Sequence, residues 1–379
     1  MTEKASILHI CDKFGVAGST IHGVSRLFLW WFPLYDRDRF DVHLLGLRPP
    51  DPAGRHLEKL GIPIIYLNKS KFSPATLPAL LGVIRRLKPD LLHLHGYGAG
   101  TFGRIAARIA GLPAVVHEHF VDPHIPLYQQ VAEAMLKSLA TQTVAVSRSV
   151  KEFCVAKRRI DPDRISVIYN GVPLDQFVPL APEAAAAHRR ALGVPEGTKI
   201  VGFVGRLHEQ KGVEFLVKAV PKVLEAHPNT RFVIVGDGAL WDELHAMAGE
   251  LGIAENVLFT GFREDVRAIL STFDIIVIPS LYEGTPLTVF EAMALCNPIV
   301  ATPVDGLGEV LADQRTALLI PPRDAAAVAD AVSRLLADPG LCRKLSENCR
   351  EERHRFDISA TVQQMQDLYD RILHRDHRN

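Results

Sequence analysis

The stretch EAAAAHRRALGVPEGTKIVGFVGRL, residues 183–207, decides the fold. An alanine-rich helical run ends in the turn residues of GVPEGT, and a strand-like apolar run, KIVGFVGRL, starts afresh behind it. On the amino-terminal side ASILHIC, FDVHLLGL, IPIIYL, DLLHLHG, AVVHEHF, TQTVAVS and ISVIYNG read as strands. Several are nearly continuous apolar runs, the pattern of parallel strands covered on both faces. On the carboxyl-terminal side a second series follows: KIVGFVGRL, TRFVIVGDG, NVLFTGF, FDIIVIPS, NPIVATPV and ALLIPPRD. Amphipathic stretches such as VEFLVKAVPKVLEAH and AAAVADAVSRLLAD separate them. Two such series predict an α/β chain of two doubly wound, Rossmann-like domains. The boundary is expected near Pro179–Pro182, giving 1–180 and 181–357, with a last helix in 358–379. Sheets of this kind bind ligands beyond the carboxyl ends of their strands, so two that face one another make a cleft.

At 379 residues the chain exceeds what one ordinary core organises. It is 47% hydrophobic and 23% charged, a globular composition. The first residues, MTEKASILHICDKFG, show no signal-peptide pattern, and the most apolar run, RLFLWWFPLY, is too short to span a bilayer. Five scattered cysteines point to reduced thiols in a cytoplasm. The formal charge is zero, yet the stretch up to Leu180 carries 22 basic and 15 acidic side chains. That asymmetry suits either two domains of different pI or a basic half that meets an anionic acceptor or membrane surface.

In SLYEGTPLTVFEAMA, residues 280–294, Glu283 lies just past the carboxyl end of a strand and Glu291 lies on the following helix. Thr285 reads as the N-cap and Pro286 as the first residue of a helix running to about Leu295. Amides from Gly284 to Thr288 at such a helix start favour an anionic or hydroxyl-rich ligand. The spacing leaves two readings open: a loop charge with a solvated helix residue, or two grips on one extended ligand. GRLHEQKG places Arg206 at a strand end and Lys211 before a helix, either as solvated cations or as a diphosphate clamp; it lacks the P-loop pattern.

Three further motifs bear on function. DKFGVAGSTIHGVSRLF joins the first strand to a helix through Gly15, Gly18 and Gly23, which would let backbone approach a ligand. AVVHEHF sets His117 and His119 on one strand face and Glu118 on the other; the two are core histidines, active-site groups, or, with His95, a metal triad. GAGTFG (Gly98, Gly100, Gly103), with Glu118 beyond it, has the form of a dinucleotide fingerprint but stands in the fourth strand–helix unit, where close packing is the alternative. VSRLFLWWFPLY reads as a buried core helix, or as a membrane-facing element aided by Arg85, Arg86 and Lys88.

VSRSV, VIYNGVPLDQF, VGFVGRLHEQKGVEFLVKA, VIVGDG, VLFTGFREDV, LYEGTPLTVFEAMALCNPIVAT and ALLIPPRD occur in the order seen in retaining GT-B glycosyltransferases of family 4, which the chain resembles over nearly its whole length. The resemblance implies that Glu291 accepts hydrogen bonds from a nucleotide's ribose and that Glu283 contacts the donor sugar, with Gly284, Thr285, Pro286 and Leu287 beside it. It implies that Arg206 and Lys211 grip the donor diphosphate without a metal, that His119 borders the reacting sugar, and that no cofactor is needed beyond the nucleotide-diphosphate sugar as co-substrate. Gly23 matches the family's loop glycine, and Gly18, Ser147, Asn170 and Gly171 would line the cleft. The last helix would cross back onto the first domain, with hinges near Pro179 and Phe356. Asn297 stands where the family has glycine, in a turn whose left-handed backbone Asn would tolerate. The expected reaction moves a sugar, from UDP in preference to GDP, to a sugar, lipid-linked or small-molecule acceptor in polysaccharide, glycolipid or glycoconjugate assembly. It would take place in the cytoplasm, with a peripheral contact at the inner membrane face left open and no nucleic-acid partner. A 2-epimerase and a non-catalytic nucleotide-sugar-binding module remain as rivals on the same fold.

Overall fold

A computed structural model of the chain describes residues 4–15, 23–121 and 124–376. The chain divides into two compact units, residues 1–170 with 358–379, and residues 171–357. Residues just before Pro179 belong with the second unit: the Val172 amide donates to the Phe356 carbonyl at 3.0 Å, and Val172 bridges to Asp357.

In the first unit the described strands are β1 (Ala5–Cys11), β2 (Phe40–Gly46), β3 (Ile64–Tyr66), β4 (Leu91–His95), β5 (Ala114–Glu118), β6 (Gln142–Ala145) and β7 (Ile165–Val167). They pair in parallel in the order β3-β2-β1-β4-β5-β6-β7. The second unit holds β8 (Lys199–Val204), β9 (Thr230–Val235), β10 (Val257–Gly261), β11 (Ile275–Ile278), β12 (Ile299–Ala301) and β13 (Leu318–Leu319). Its parallel order is β10-β9-β8-β11-β12-β13. Each sheet therefore reverses direction beside its first strand, between β1 and β4 and between β8 and β11. That switch point opens a crevice at the carboxyl edge.

All thirteen strands lie inside the apolar runs read from the sequence, and twelve of them stop before the run does. The trimmed residues are those that turn into the carboxyl-edge loops. β8 illustrates the packing beneath them: Gly202 lies under the Phe273 ring, where an added Cβ would come within 2.0 Å of it. The helices Val213–Ala226 and Ala325–Ala337 cover one face with Leu216, Val220, Val328 and Val332, all buried.

The helix Gly23–Trp31 is a core element. Phe28 and Trp31 are fully buried, which removes this segment as a membrane-facing surface. Arg85 and Lys88, with Ile84 and Ile109, line a groove at the amino ends of β4 and β5, the edge opposite the switch-point crevice. GAGTFG lies within the helix Tyr97–Ala110, not in the turn before it. An added Cβ at Gly103 would reach 2.4 Å from Leu94, and one at Gly98 would reach 2.5 Å from Asp12, so these glycines serve close packing and the dinucleotide reading is dropped. The five cysteines are free thiols, four of them buried. No helix among the described residues is long and apolar enough to cross a membrane.

Glycine is mandatory at Gly236, whose φ is +135° and where an added Cβ would sit 1.9 Å from the Gly205 carbonyl oxygen. Gly236→Ala is expected to lower unfolding stability by roughly 2–4 kcal/mol, since neither backbone can yield cheaply. Gly249→Ala, within the helix Trp241–Glu250 and facing open space, should instead stabilise by about 0.5–1 kcal/mol. Denaturant titration of both variants checks the contrast.

Candidate active site

The second unit gathers its chemistry at the switch point between β8 and β11. Arg206 follows β8 and is exposed, its Nη2 donating to Gln210 Oε1 at 3.1 Å. Lys211 closes a short helical turn, Glu209–Lys211, and lies 2.5 Å through Nζ from Glu283 Oε1. Glu283, just beyond β11, is 4% exposed and also accepts from Ser280 Oγ at 2.8 Å. Gln210 bridges the two loops, donating to the Tyr282 carbonyl at 3.1 Å. Asp305 fixes the turn from behind, accepting the Glu283 amide at 2.7 Å. Burial raises the Asp305 pKa, and the Glu283 charge adds to the rise. Arg206 and Lys211, from one short loop, and Glu283, far from them in sequence, thus share one edge: an exposed guanidinium, and an ammonium paired with a buried carboxylate. Such a set binds an anion beside a hydroxyl-bearing group.

The helix behind this turn begins one residue later than its sequence suggests. It runs Leu287–Ala294, with Pro286 as the N-cap and no side-chain cap. Pro286 has extended backbone, φ −69° and ψ 139°, so it precedes the first helical residue. Thr285 and Gly284 are buried below the turn, while Pro286 and Leu287 are half-buried. Thr288 Oγ1 approaches the Val204 carbonyl at 3.4 Å and so ties the helix start to the end of β8. Glu291 is 0% exposed and so is not a solvated helix residue. At the helix end the left-handed residue is Cys296 (φ 59°), not Asn297. Asn297 is buried and its amide donates to the Leu270 and Phe273 carbonyls at 3.0 and 3.2 Å, a tie that glycine could not make.

In the first unit one sheet face at the switch point is built of histidines. His9 on β1, His93 and His95 on β4, and His117 on β5 are buried, and His119, just past β5, is half-buried. Strand register places His93 beside His9 and His117 beside His95. Ring nitrogens meet at 3.0 Å for His9 Nδ1 with His95 Nε2, and at 3.1 Å for both His95 Nδ1 with His119 Nε2 and His93 Nε2 with His117 Nδ1. Tyr35 and Tyr369 join these strings, at 3.2 Å from His9 Nε2 and 2.6 Å from His93 Nδ1, with their hydroxyls 3.2 Å apart. Tyr369 comes from the helix Ile358–Asp376, which belongs to this unit. The sequence pointed to His119 but not to His9, His93 or the tyrosines; the period-two spacing in ILHIC and LLHLH was their only trace.

His9 with His93 and His95, and His95 with His117 and His119, are close enough to share a metal ion. Many of these nitrogens are engaged with one another, while His117 Nε2 is buried without a hydrogen-bond partner among the described residues. Burial drives the His9 pKa down to about 3. It also lowers those of His93, His95 and His117 well below the usual value, with neighbouring histidines adding to the effect. These rings are therefore neutral, each with one N–H and one lone pair, in a chain whose two ends are His119 and His117.

The remaining expected residues fall out as follows. Ser147 is fully buried and caps the helix Arg148–Arg158, accepting from the Val150 amide at 3.1 Å. Asn170 and Gly171 straddle the division between the units. Gly23 opens its helix, and an added Cβ there would touch nothing. Gly18 lies outside the described residues.

Residues 23–176 match the model of Glycosyltransferase Family 4, and residues 185–352 that of Glycosyl transferases group 1. An Escherichia coli relative, UDP-Gal:alpha-D-GlcNAc-diphosphoundecaprenol alpha-1,3-galactosyltransferase, is 30% identical over 365 residues, 92% of this chain and 94% of its own. The D-inositol 3-phosphate glycosyltransferase of Corynebacterium glutamicum is 30% identical over 311 residues, 76% of this chain and 74% of its own. Among solved structures HepE of Anabaena, in complex with UDP, shares the fold with a TM-score of 0.84 at 23% identity, over 96% of this chain and 99% of its own.

The histidine face makes a stability prediction. Folding lowers these pKa values, so below pH 6.5 the unfolded chain takes up protons that the folded chain refuses. Stability is thus complete above that pH and lost as pH falls, by on the order of 1 kcal/mol per buried histidine at roughly pH 5.5. Melting temperature followed against pH should drop steeply on the acid side, and His117→Gln should make the slope shallower. A profile that stays flat down to about pH 5.5 would contradict burial as neutral rings.

Proposed function

This chain belongs to the family 4 glycosyltransferases and acts on nucleotide-sugar donors, and we propose that it transfers a sugar from a UDP-linked donor to an acceptor hydroxyl with retention, without a bound metal. The observation that carries the reading is the Arg206–Lys211–Glu283 cluster at the carboxyl edge of the second sheet, where a doubly wound sheet binds ligands. The choice of UDP is supported by the Escherichia coli relative, whose donor is UDP-Gal and whose acceptor is a GlcNAc carried on diphosphoundecaprenol. A polysaccharide or glycolipid precursor at the cytoplasmic membrane face is the matching setting.

In this reading the bond from the anomeric carbon to the diphosphate oxygen breaks as the acceptor oxygen bonds to that carbon from the same face. The departing diphosphate takes the acceptor's proton. Charge grows on the diphosphate during this step, and the Arg206 guanidinium and the Lys211 ammonium stabilise it more in the transition state than in the bound donor. Lys211 is shared: without ligand it neutralises Glu283, and with donor bound it turns part of its charge to the phosphates. Glu283 then holds sugar hydroxyls, Glu291 takes the ribose hydroxyls, and the Gly284–Leu287 backbone lies beside them. His119, fixed through His95, orients the sugar or acceptor, and the first unit supplies the acceptor side.

Thermal shift with UDP, GDP, ADP and TDP tests the donor assignment. At about 100 times its dissociation constant the correct diphosphate adds roughly 2.7 kcal/mol. UDP alone should do so, and Glu291→Gln, which keeps the packing, should lose most of the effect. Arg206→Ala and Lys211→Ala should each lower turnover by about 10²–10³. A chain that no diphosphate stabilises would overturn the reading, and sugar inversion with no acceptor present would replace transfer by epimerisation.

A further inference from the structure

The helix Leu127–Leu136 (LYQQVAEAML) presents its sides in the reverse of the usual arrangement. Its one charged residue, Glu133, is buried, and Glu133 Oε1 accepts from the equally buried Arg104 at 2.6 Å. Leu127, Val131 and Met135 are 74%, 51% and 74% exposed. Spaced four apart, they form one stripe along the solvent side. The other exposed positions of the helix are Tyr128, Gln130 and Ala134, so this whole face carries no charge.

The apolar surface continues beyond the helix. The Tyr128 ring meets that of Phe72 edge to face, with centroids 6.2 Å apart, and Phe72 is 69% exposed. The Lys71 ammonium lies 5.3 Å from the Phe72 ring centroid, which sets a cation at the border of the patch. Single exposed apolar residues are ordinary, but a contiguous stripe of aliphatic and aromatic side chains marks an interaction surface. The helix follows β5, so it leaves the same sheet edge as His119.

Charge decides what covers the patch. Residues 1–170 and 358–379 hold 25 Lys and Arg against 17 Asp and Glu, a net charge of +8, and residues 171–357 hold 18 against 26, a net charge of −8. A second copy docking through the patch would bring one +8 unit against another, whereas an anionic lipid surface attracts it. A helix with bulky aliphatics on one side and no charge on that side, beside a cation, is suited to lie in the headgroup region.

We propose that the helix Leu127–Leu136, together with Phe72, is a membrane-insertion element that seats the first unit on an anionic bilayer, from which a lipid-borne acceptor is presented at the His119 edge. Only the last clause rests on the transferase reading. The surface can be tested apart from it.

The full chain should sediment with vesicles of phosphatidylethanolamine and phosphatidylglycerol at low salt, and far less with phosphatidylcholine. The triple variant Leu127→Ser/Val131→Ser/Met135→Ser should lower partitioning on the order of tenfold or more, because three inserted aliphatic side chains are lost. Its melting temperature and UDP-induced shift should stay unchanged, since all three are exposed and remote in sequence from the donor residues. Lys71→Glu should weaken binding in a salt-dependent way, and Val131→Trp should show a blue-shifted emission when those vesicles are added. Equal vesicle binding by the triple variant would overturn the proposal. So would a wild-type dimer that the triple variant converts to a monomer, which would assign the patch to a second copy. Failure of the donor reading would appear separately, as an absent UDP shift with vesicle binding intact.

Discussion

At the carboxyl edge of the second sheet, loop backbones pack directly on other loop backbones, with no room for a β-carbon between them. An added Cβ at Gly212 would lie 2.0 Å from the Pro279 carbonyl oxygen, one at Gly236 1.9 Å from that of Gly205, and one at Gly306 1.9 Å from that of Gly284. These contacts join the loops after β8, β9, β11 and β12 into one layer. Lys211 precedes the first of these glycines, Arg206 follows Gly205, and Glu283 precedes Gly284. The positions of the ammonium, the guanidinium and the carboxylate are therefore set by main-chain contact, which gives way less than side-chain packing does. Preorganised charge of this kind stabilises a transition state because it need not reorient as the reaction proceeds.

The first unit reaches rigidity by another route. Its switch-point face is polar but uncharged, five rings and two phenols linked nitrogen to nitrogen and oxygen to nitrogen. Ionising any member would place a charge among Phe28, Trp31 and Phe32, which pack on these rings. The network is thus held neutral by its apolar cover, and the last helix completes it through Tyr369. That dependence gives the chain's return to the first unit a local physical purpose, beyond burying the apolar side of a helix.

Much of this was legible in the sequence. Apolar runs separated by turn residues revealed both sheets, because parallel strands covered on both faces have few other ways to be written. Arg206, Lys211 and Glu283 could be singled out from strand-end positions and family motifs, and the structure brings them together. Less visible were features set by tertiary contact. Pro286 reads as a first helical residue, yet the backbone delays the helix to Leu287. Local spacing left open a solvated Glu291 or a grip on a ligand, and its helix has no solvent side from Val289 to Ala294. Trp31 of LFLWW could face either way until the histidine face that it covers is known. Periodicity states that a helix has two faces; only packing states which one is inside.

The helix Leu127–Leu136 shows the same ambiguity resolved against intuition. Its sequence pattern alone would place Leu127, Val131 and Met135 in the core and Glu133 in water. Arg104 prevents this. Its guanidinium is buried on the helix Tyr97–Ala110, with Nε bonded to the Gly100 carbonyl at 2.6 Å, and Glu133 is its paired carboxylate. Rolling the helix to hide the aliphatic stripe would carry Glu133 outward and leave a buried cation without its partner, a loss of roughly 3–5 kcal/mol for such pairs. Arg158, whose Nη1 lies 4.0 Å from the second oxygen of Glu133, resists the same rotation. The exposure of the stripe is therefore enforced from within the fold: an interior ion pair sets the helix rotation, and the apolar face outside is its consequence.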